Sequence, residues 1–412
     1  MNETISADRA AAARLEKTVS GSAIRHNMGI LRKVGGGRRI MAVVKGDAYG
    51  LGAPAISRVV LAAGADALAV DTVAEGVELR EHRVAGPVVV MDADVDENAA
   101  ACVIHRLTPA VANLAQVRRH AAAASGRRTT VWLRTNIGFN RFGPRDEKGF
   151  DDVLAALADA SGALRVAGMF AHLSSAATDP SETAAQVRVF RGRVAKAREV
   201  FGASCQASLA ATHGLLHPDA LTGTDWIRPG LGVYGLVDPG SRHLPGWPRS
   251  GLDELRPAIS VRARLLEILT TADIVADGVG YDRTIRLPSG TDLAAVAIGF
   301  AHGLARANER LTGVLHGARC PIVGRPGMDC TMFDVTAVPT ARPGDWMTFI
   351  DAPGPGAAWP AKSAAETAAE LGLSLYELLA TFRIPVRLTE HATAGSGAEQ
   401  TPEPHRERSR HA

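Results

Sequence analysis

The chain has 412 residues, 46% of them apolar, which excludes a disordered protein and is enough for two or three domains with a large core. Its formal charge of +3 is spread along the sequence and gives no electrostatic footprint for nucleic acid. The four cysteines (Cys102, Cys205, Cys320, Cys330) have neither metal-ligand spacing nor a disulfide pattern, and no metal is expected. The start, Met1 to Arg9, is polar and mixed in charge, unlike a signal peptide. The longest weakly charged run, Leu293 to Leu304, contains His302 and is too short to span a bilayer. A soluble cytoplasmic protein is expected.

In chain order, residues 1 to about 15 are Ala-rich and are expected as a frayed helix. Ser22 to Lys33 has helical spacing of Ile24, Met28 and Leu31, and Gly35-Gly36-Gly37 ends it. Strands are predicted at Arg39–Lys45, Ala67–Val70, Pro87–Met91, Thr108–Val111, Thr129–Thr135, Arg165–Leu173, Gln206–Ala210 and Ile227–Tyr234. Helices are predicted between them at Pro54–Gly64, Val73–His82, Asp96–Ile104, Leu114–Ala124, Gly149–Ala160 and Glu182–Phe201. Strands alternating with helices imply a parallel sheet, and eight strands over ~240 residues point to a (β/α)8 barrel.

After Gly240 the character changes. Residues 240–256 are rich in Gly, Pro and Arg, as in a crossover. Strands are then predicted at Ile259–Ile268, Leu293–Gly299, Val314–Val323, Thr331–Val335 and Trp346–Ile350, with short helices at Lys362–Leu371 and Leu375–Thr381. The fold class expected is α/β, an N-terminal (β/α)8 TIM-like barrel followed by a mainly β C-terminal domain. The divisions are residues 1–20 as an N-terminal extension, 21–245 as barrel, 246–390 as β domain and 391–412 as a disordered tail.

Lys45 carries the first chemical signal. The β-branched run Ile40 to Val44 reads as a buried strand that glycines interrupt, so the lysine sits at a strand end, the rim where βα proteins place chemistry. A lysine there can form a Schiff base if burial or neighbouring charge keeps its amine partly neutral. The string V-V-K-G-D-A-Y-G-L-G resembles the pyridoxal phosphate (PLP) lysine motif of alanine racemases. The resemblance extends over about residues 20 to 388.

What it implies, residue by residue, is as follows. Lys45 holds PLP and Tyr49 binds its phosphate. Arg228, in R-P-G-L-G-V-Y-G, contacts the pyridine nitrogen, and the amides of Gly230 and Leu231 cradle the phosphate. Arginine stays protonated, so it can donate but leaves that nitrogen unprotonated. Thr212 takes the place of a phosphate-binding serine, although an N-cap role ahead of Gly214-Leu215-Leu216 is equally open. Tyr281, in V-G-Y-D-R-T, is the second catalytic base, assisted by His172 hydrogen-bonded to Arg228. Met328 and Asp329 bind the substrate carboxylate, Tyr376 binds phosphate, and Arg141 contacts the cofactor's phenolic oxygen and the substrate carboxylate. Two bases on opposite faces suit racemisation, because one base would return the proton to the face it left. The family's tyrosine and Met-Asp pair reach the other subunit, which implies a head-to-tail homodimer.

Four departures stand out. Asn136 and Ile137 replace Asp-Thr, Phe300 and His302 stand where the family has Tyr and Asp, Gly327 removes a small polar side chain, and Arg134 replaces a lysine that many members carbamylate. Arginine is effectively never neutral and cannot take up carbon dioxide this way. Its repulsion with Arg141 needs relief from a chloride, a nearby carboxylate or a redirected side chain, and neutral Asn136 favours the bound anion. The function expected is racemisation of L- and D-alanine. The alternatives are the same scaffold acting on another amino acid, by racemisation or another PLP-dependent α-carbon reaction, and, as a non-enzymatic class, a PLP carrier. A carrier lacks a β domain and a second base.

Overall fold

The computed structural model describes residues 13–92, 98–270, 272–273, 278–280, 285–305, 309–352 and 361–390. Tyr281, the start of the chain and the tail after residue 390 lie outside the described residues. The first strand, β1 (Leu15–Ser20), is followed by helix Gly21–Val34, capped by the Ser20 hydroxyl accepting from the Ala23 amide at 3.1 Å.

Eight strands then close a parallel barrel: β2 (Arg39–Val43), β3 (Ala67–Val70), β4 (Val88–Val90), β5 (Thr108–Val111), β6 (Thr129–Arg134), β7 (Leu164–Phe170), β8 (Gln206–Ser208) and β9 (Trp226–Ile227). Pairing of Arg39 with Trp226 and Ile40 with Ile227 seals it. The strand period of two sorts the side chains. Met41, Val43, Ala67, Ala69, Val89, Ala110, Trp132, Phe170 and Trp226 fill the inside, while Ile40, Ala42, Leu68, Val70, Val88 and Val90 face the helices. The three inward alanines leave room for Trp132 and Trp226, which meet edge to face at 6.0 Å. The longest covering helix, Pro180–Phe201, starts two residues before the expected Glu182.

The last barrel strand is shorter than expected. It stops at Ile227, and Leu231–Tyr234 forms a 3₁₀ turn, because Pro229 has no amide to continue a ladder. The Gly/Pro/Arg-rich crossover contains short helical turns at Pro239–His243, Trp247–Ser250 and Leu252–Glu254.

In the second part, β10 (Ile259–Thr270), β11 (Asp292–Val296), β12 (Thr312–Leu315), β13 (Ala318–Val323), β14 (Thr331–Asp334) and β15 (Trp346–Ile350) form a closed six-stranded barrel. A bulge between Leu265 and Glu267 bends β10 so that it pairs with both β11 and β15. Phe333 and Phe349, 5.6 Å apart, lie in its core. The expected single strand Val314–Val323 is instead the β12–β13 hairpin, turned at His316 and Gly317, both with positive φ. Strand β1 belongs to this sheet, antiparallel to β10 and parallel to β16 (Val386–Thr389). Its Lys17, 3% exposed, donates to the carbonyls of Gly50 and Phe382, each at 2.7 Å. Lys17 thereby ties the C-terminal sheet to the loop after β2.

Candidate active site

Where β2 ends, the chain makes a left-handed turn: φ is 60° at Gly46, 52° at Asp47, 53° at Ala48 and 60° at Tyr49. Three of these are not glycine, and each costs about 1–2 kcal/mol in this region. The surroundings over-determine the turn. The Glu75 carboxylate accepts from the Gly46 amide at 2.7 Å, and Asp47 Oδ1 accepts from the Ala53 amide at 2.6 Å. The Ala48 amide donates to the Val44 carbonyl at 2.8 Å. Strain held this firmly belongs to functional sites. It turns Lys45 and Tyr49 into one cavity of about 220 Å³ at the C-terminal rim of the barrel.

The cavity also receives Asp71, Arg134, Arg141, His172, Thr212, Arg228, Gly230 and Tyr376. Lys45 Nζ lies 3.2 Å from Asp71 Oδ1. Arg228, 3% exposed, donates to the Ser208 carbonyl and hydroxyl at 2.8 and 2.7 Å and to the Ala171 carbonyl at 2.5 Å. Burial, then the Arg134 charge, lowers its proton affinity. His172 stands beside Arg228 without a hydrogen bond between them among the described residues; its ring packs edge-on against Phe139 at 5.4 Å. Burial first, then the charges of Arg228, Arg141, Arg134 and Lys45, pushes His172 down to about 3, so it is neutral at neutral pH.

Thr212 Oγ1 accepts from the amides of Gly230 at 3.2 Å and Gly232 at 3.0 Å. Its side chain makes no cap to the following turn, so the N-cap role open in the sequence is not the one it takes. The amides converging on Thr212 are those of Gly230 and Gly232, whereas Leu231 turns its side chain into the core. Tyr49 packs between Tyr234 at 5.8 Å and Tyr376 at 6.0 Å. A Cβ on Gly230 would stand 2.2 Å from the Tyr49 hydroxyl, so this approach requires glycine. Desolvation raises the phenol pKa of both Tyr49 and Tyr376, and both remain O–H donors at neutral pH.

This donor set fits PLP. The hydroxyls of Tyr49, Thr212 and Tyr376 suit a phosphate, and Arg228 and Lys45 bring a guanidinium and an amine into the same cavity.

Arg134 corrects the expectation of a bound anion. Its Nη1 pairs with the Asp92 carboxylate and donates to the Met91 carbonyl at 3.0 Å, and its guanidinium lies 4.3 Å over the Phe142 ring. The relief is therefore a carboxylate from the end of β4. Asn136 has a local task, with Oδ1 accepting from the amides of Gly138 and Asn140 at 3.0 Å each. Arg141 sits 4.4 Å over Phe139 at the cavity edge.

Other expected residues are not in this cavity. Met328 is 55% exposed, and Asp329 is exposed beside it. The amides of Phe300 and Ala301 donate to the carbonyls of Gly327 and Met328 at 2.9 and 3.0 Å, so the two elements that depart from the family dock on each other. Tyr281 lies outside the described residues. Sequence reasoning missed Asp71, Glu75, Asp92 and Ser208. A signal existed for one pair: Thr72 and Glu75 form a capping box directly after Asp71.

Residues 19–238 match the model of the alanine racemase N-terminal domain, and residues 258–388 that of the C-terminal domain. The chain is 33% identical over 386 residues to the alanine racemase of Thioalkalivibrio sulfidiphilus, covering 92% of this chain and 98% of the relative. It is 32% identical over 341 residues to that of Sorangium cellulosum, covering 79% and 86%. The solved structure of alanine racemase from Streptomyces coelicolor A3(2) superposes with a TM-score of 0.82 at 27% identity, covering 92% of this chain and 99% of that one. Among the described residues no helix is long and apolar enough to cross a membrane, and no cluster of side chains could hold a metal ion. The chain belongs to the alanine racemase family, as a divergent member.

Proposed function

We propose that the protein is a cytoplasmic, PLP-dependent racemase that interconverts L- and D-alanine with two bases, Lys45 and Tyr281. The observation that carries this reading is the convergence of Lys45, Arg228, Thr212, Gly230, Tyr49 and Tyr376 on one cavity of a family whose members bind PLP. When bound, PLP withdraws electrons from the amino acid's α-carbon and makes its α-proton acidic. Tyr49, Thr212, Gly230 and Tyr376 would hold the phosphate. Arg228, fixed by three hydrogen bonds, would donate to the ring nitrogen without surrendering a proton, which disfavours side reactions such as transamination. Lys45 Nζ removes or returns the α-proton on the D-face, and the Tyr281 phenol oxygen does so on the L-face. The exposure of Met328 and Asp329 away from the cavity supports a head-to-tail homodimer, in which Tyr281, Met328 and Asp329 serve the partner's site.

Asp71 and the Arg134–Asp92 pair at the cavity wall favour a second reading, in which the same scaffold racemises a different amino acid. Incubation with each of the twenty L-amino acids, read by chiral chromatography, separates the two. D-Alanine from L-alanine is expected, together with a yellow protein in which borohydride fixes the cofactor to the Lys45 peptide. Tyr281→Phe should slow α-deuterium exchange from the L-substrate by roughly 10²–10⁴-fold. Fixation at another lysine, or no exchange with any amino acid, refutes the reading.

A further inference from the structure

Strands β2 and β3 are neighbours in the barrel, and each ends in a side chain that lines the cavity, Lys45 after β2 and Asp71 after β3. Their separation is built by a third residue. Glu75 accepts from the Asp71 amide at 2.6 Å and the Thr72 amide at 3.2 Å through one oxygen, and from the Gly46 amide at 2.7 Å through the other. One carboxylate therefore clamps the backbone on both sides of the 3.2 Å contact between Lys45 Nζ and Asp71 Oδ1. The two side chains are about one-third exposed, at 34% and 36%, so the pair is reachable from the cavity. An ordinary surface ion pair has neither a shared backbone clamp nor a cavity around it. The nearby Asp92 is already engaged by Arg134, so Asp71 is the carboxylate facing the lysine.

We infer that Asp71 is a positioning residue for the proposed chemistry: its carboxylate receives the Lys45 amine whenever that amine is not bound to the cofactor. An amine on a four-carbon stem has many rotamers, and the fixed Asp71 acceptor, 3.2 Å from Nζ, selects one of them within the cavity. Asp71 acts through Lys45 and not through the tyrosine on the opposite face. Its loss therefore affects the two directions of proton transfer unequally. This rests on the reading of Lys45 as the PLP lysine.

The test uses Asp71→Asn, which keeps the shape and removes the charge, and Asp71→Glu, which restores it. In both, borohydride should still fix PLP to the Lys45 peptide. In Asp71→Asn, α-deuterium exchange dependent on Lys45 should fall about 10- to 100-fold, the loss expected for one hydrogen bond between charged groups. Exchange dependent on Tyr281 should fall much less, and Asp71→Glu should bring the ratio of the two back toward wild type. A second readout needs no turnover. In the cofactor-free protein, an amine-directed acylating reagent should label Lys45 about tenfold faster in Asp71→Asn, relative to the exposed Lys148, because an amine donating to a carboxylate is a poor nucleophile. Equal slowing of both directions, or unchanged exchange and labelling, overturns the role of Asp71. Wild-type protein that fixes no PLP at Lys45 overturns the functional reading instead.

Discussion

Gly230→Ala places a methyl group where the structure has the Tyr49 hydroxyl. Gly230 has φ of −114° and ψ of −85°, outside the regions favoured by residues with a Cβ, which adds to the clash. The added Cβ would lie 2.2 Å from Tyr49 Oη and 3.1 Å from Cζ, which requires the hydroxyl to retreat by about 1 Å to reach van der Waals contact. That retreat is opposed by Tyr234 and Tyr376, packed at 5.8 and 6.0 Å from the Tyr49 ring. Overpacking of this kind costs about 1–3 kcal/mol. If the phosphate binds between Tyr49 and Gly230, the same cost appears as a ~5- to 150-fold loss of PLP affinity. The assay is titration of cofactor-free protein with PLP, followed by absorbance, with urea unfolding as the control for global damage. Tyr49→Phe removes the clashing oxygen, so the double variant should recover part of the loss caused by Gly230→Ala. The recovery is partial because the contact with Cζ persists. Wild-type PLP affinity in Gly230→Ala, or strictly additive losses in the double variant, would refute the reasoning.

Asp92→Asn leaves the guanidinium of Arg134, whose side chain is 10% exposed, without its counter-charge. A loss of about 3 kcal/mol in urea unfolding is expected, partly recovered by chloride, whereas wild-type activity should not depend on chloride. Equal unfolding midpoints for the two proteins would contradict the pairing. Lys17 offers a pH test: burial lowers it from 10.5 to about 8, against the opposing charge of Asp47. Between these values the unfolded chain binds a proton that the native chain has released, so stability contributed by this group rises with pH and its penalty is full below about pH 8. The stability of wild type relative to Lys17→Met should therefore climb by about 2–3 kcal/mol across that window, read by urea unfolding at stepped pH. A flat difference would remove Lys17 as a buried cation.

The barrel was legible because strands covered on both sides are continuous apolar runs, and Ala67–Val70 appears as read. The Val314–Val323 run hid a turn because His316 takes the left-handed position where asparagine would have announced it. Strand β1 was missed for a different reason. Leu15–Ser20 has no apolar run of its own and is held by β10 and β16, far along the chain. In the site, residues carried by contiguous motifs could be read as strings, and Lys45, Tyr49, Thr212, Arg228, Gly230 and Tyr376 are brought together. Their partners could not. Asp71, Asp92 and Ser208 each sit at the end of a strand and meet their cations only when the barrel closes.

Those partners decide where the cavity's positive charge remains. The wall carries Lys45, Arg134, Arg141 and Arg228. Asp71 answers Lys45 from the neighbouring strand end, and Asp92 after β4 answers Arg134 at the end of β6, across β5. Among the described residues, Arg141 and Arg228 form no ion pair with a carboxylate, although Arg141 feels the charge of Asp92. For Arg228, fully buried, the cost of a lone charge is offset by three hydrogen bonds to neutral acceptors, which hold the guanidinium without cancelling it. His172 adds no charge, since it is neutral. The uncancelled positive potential is thus concentrated on one buried and one rim arginine. A phosphate, at −1.5 to −2, is about matched by that positive charge. In this chain Arg134 therefore supplies no net charge to the ligand; paired with Asp92 and covered by Phe142, it forms the rigid wall beside which Arg141 keeps its own.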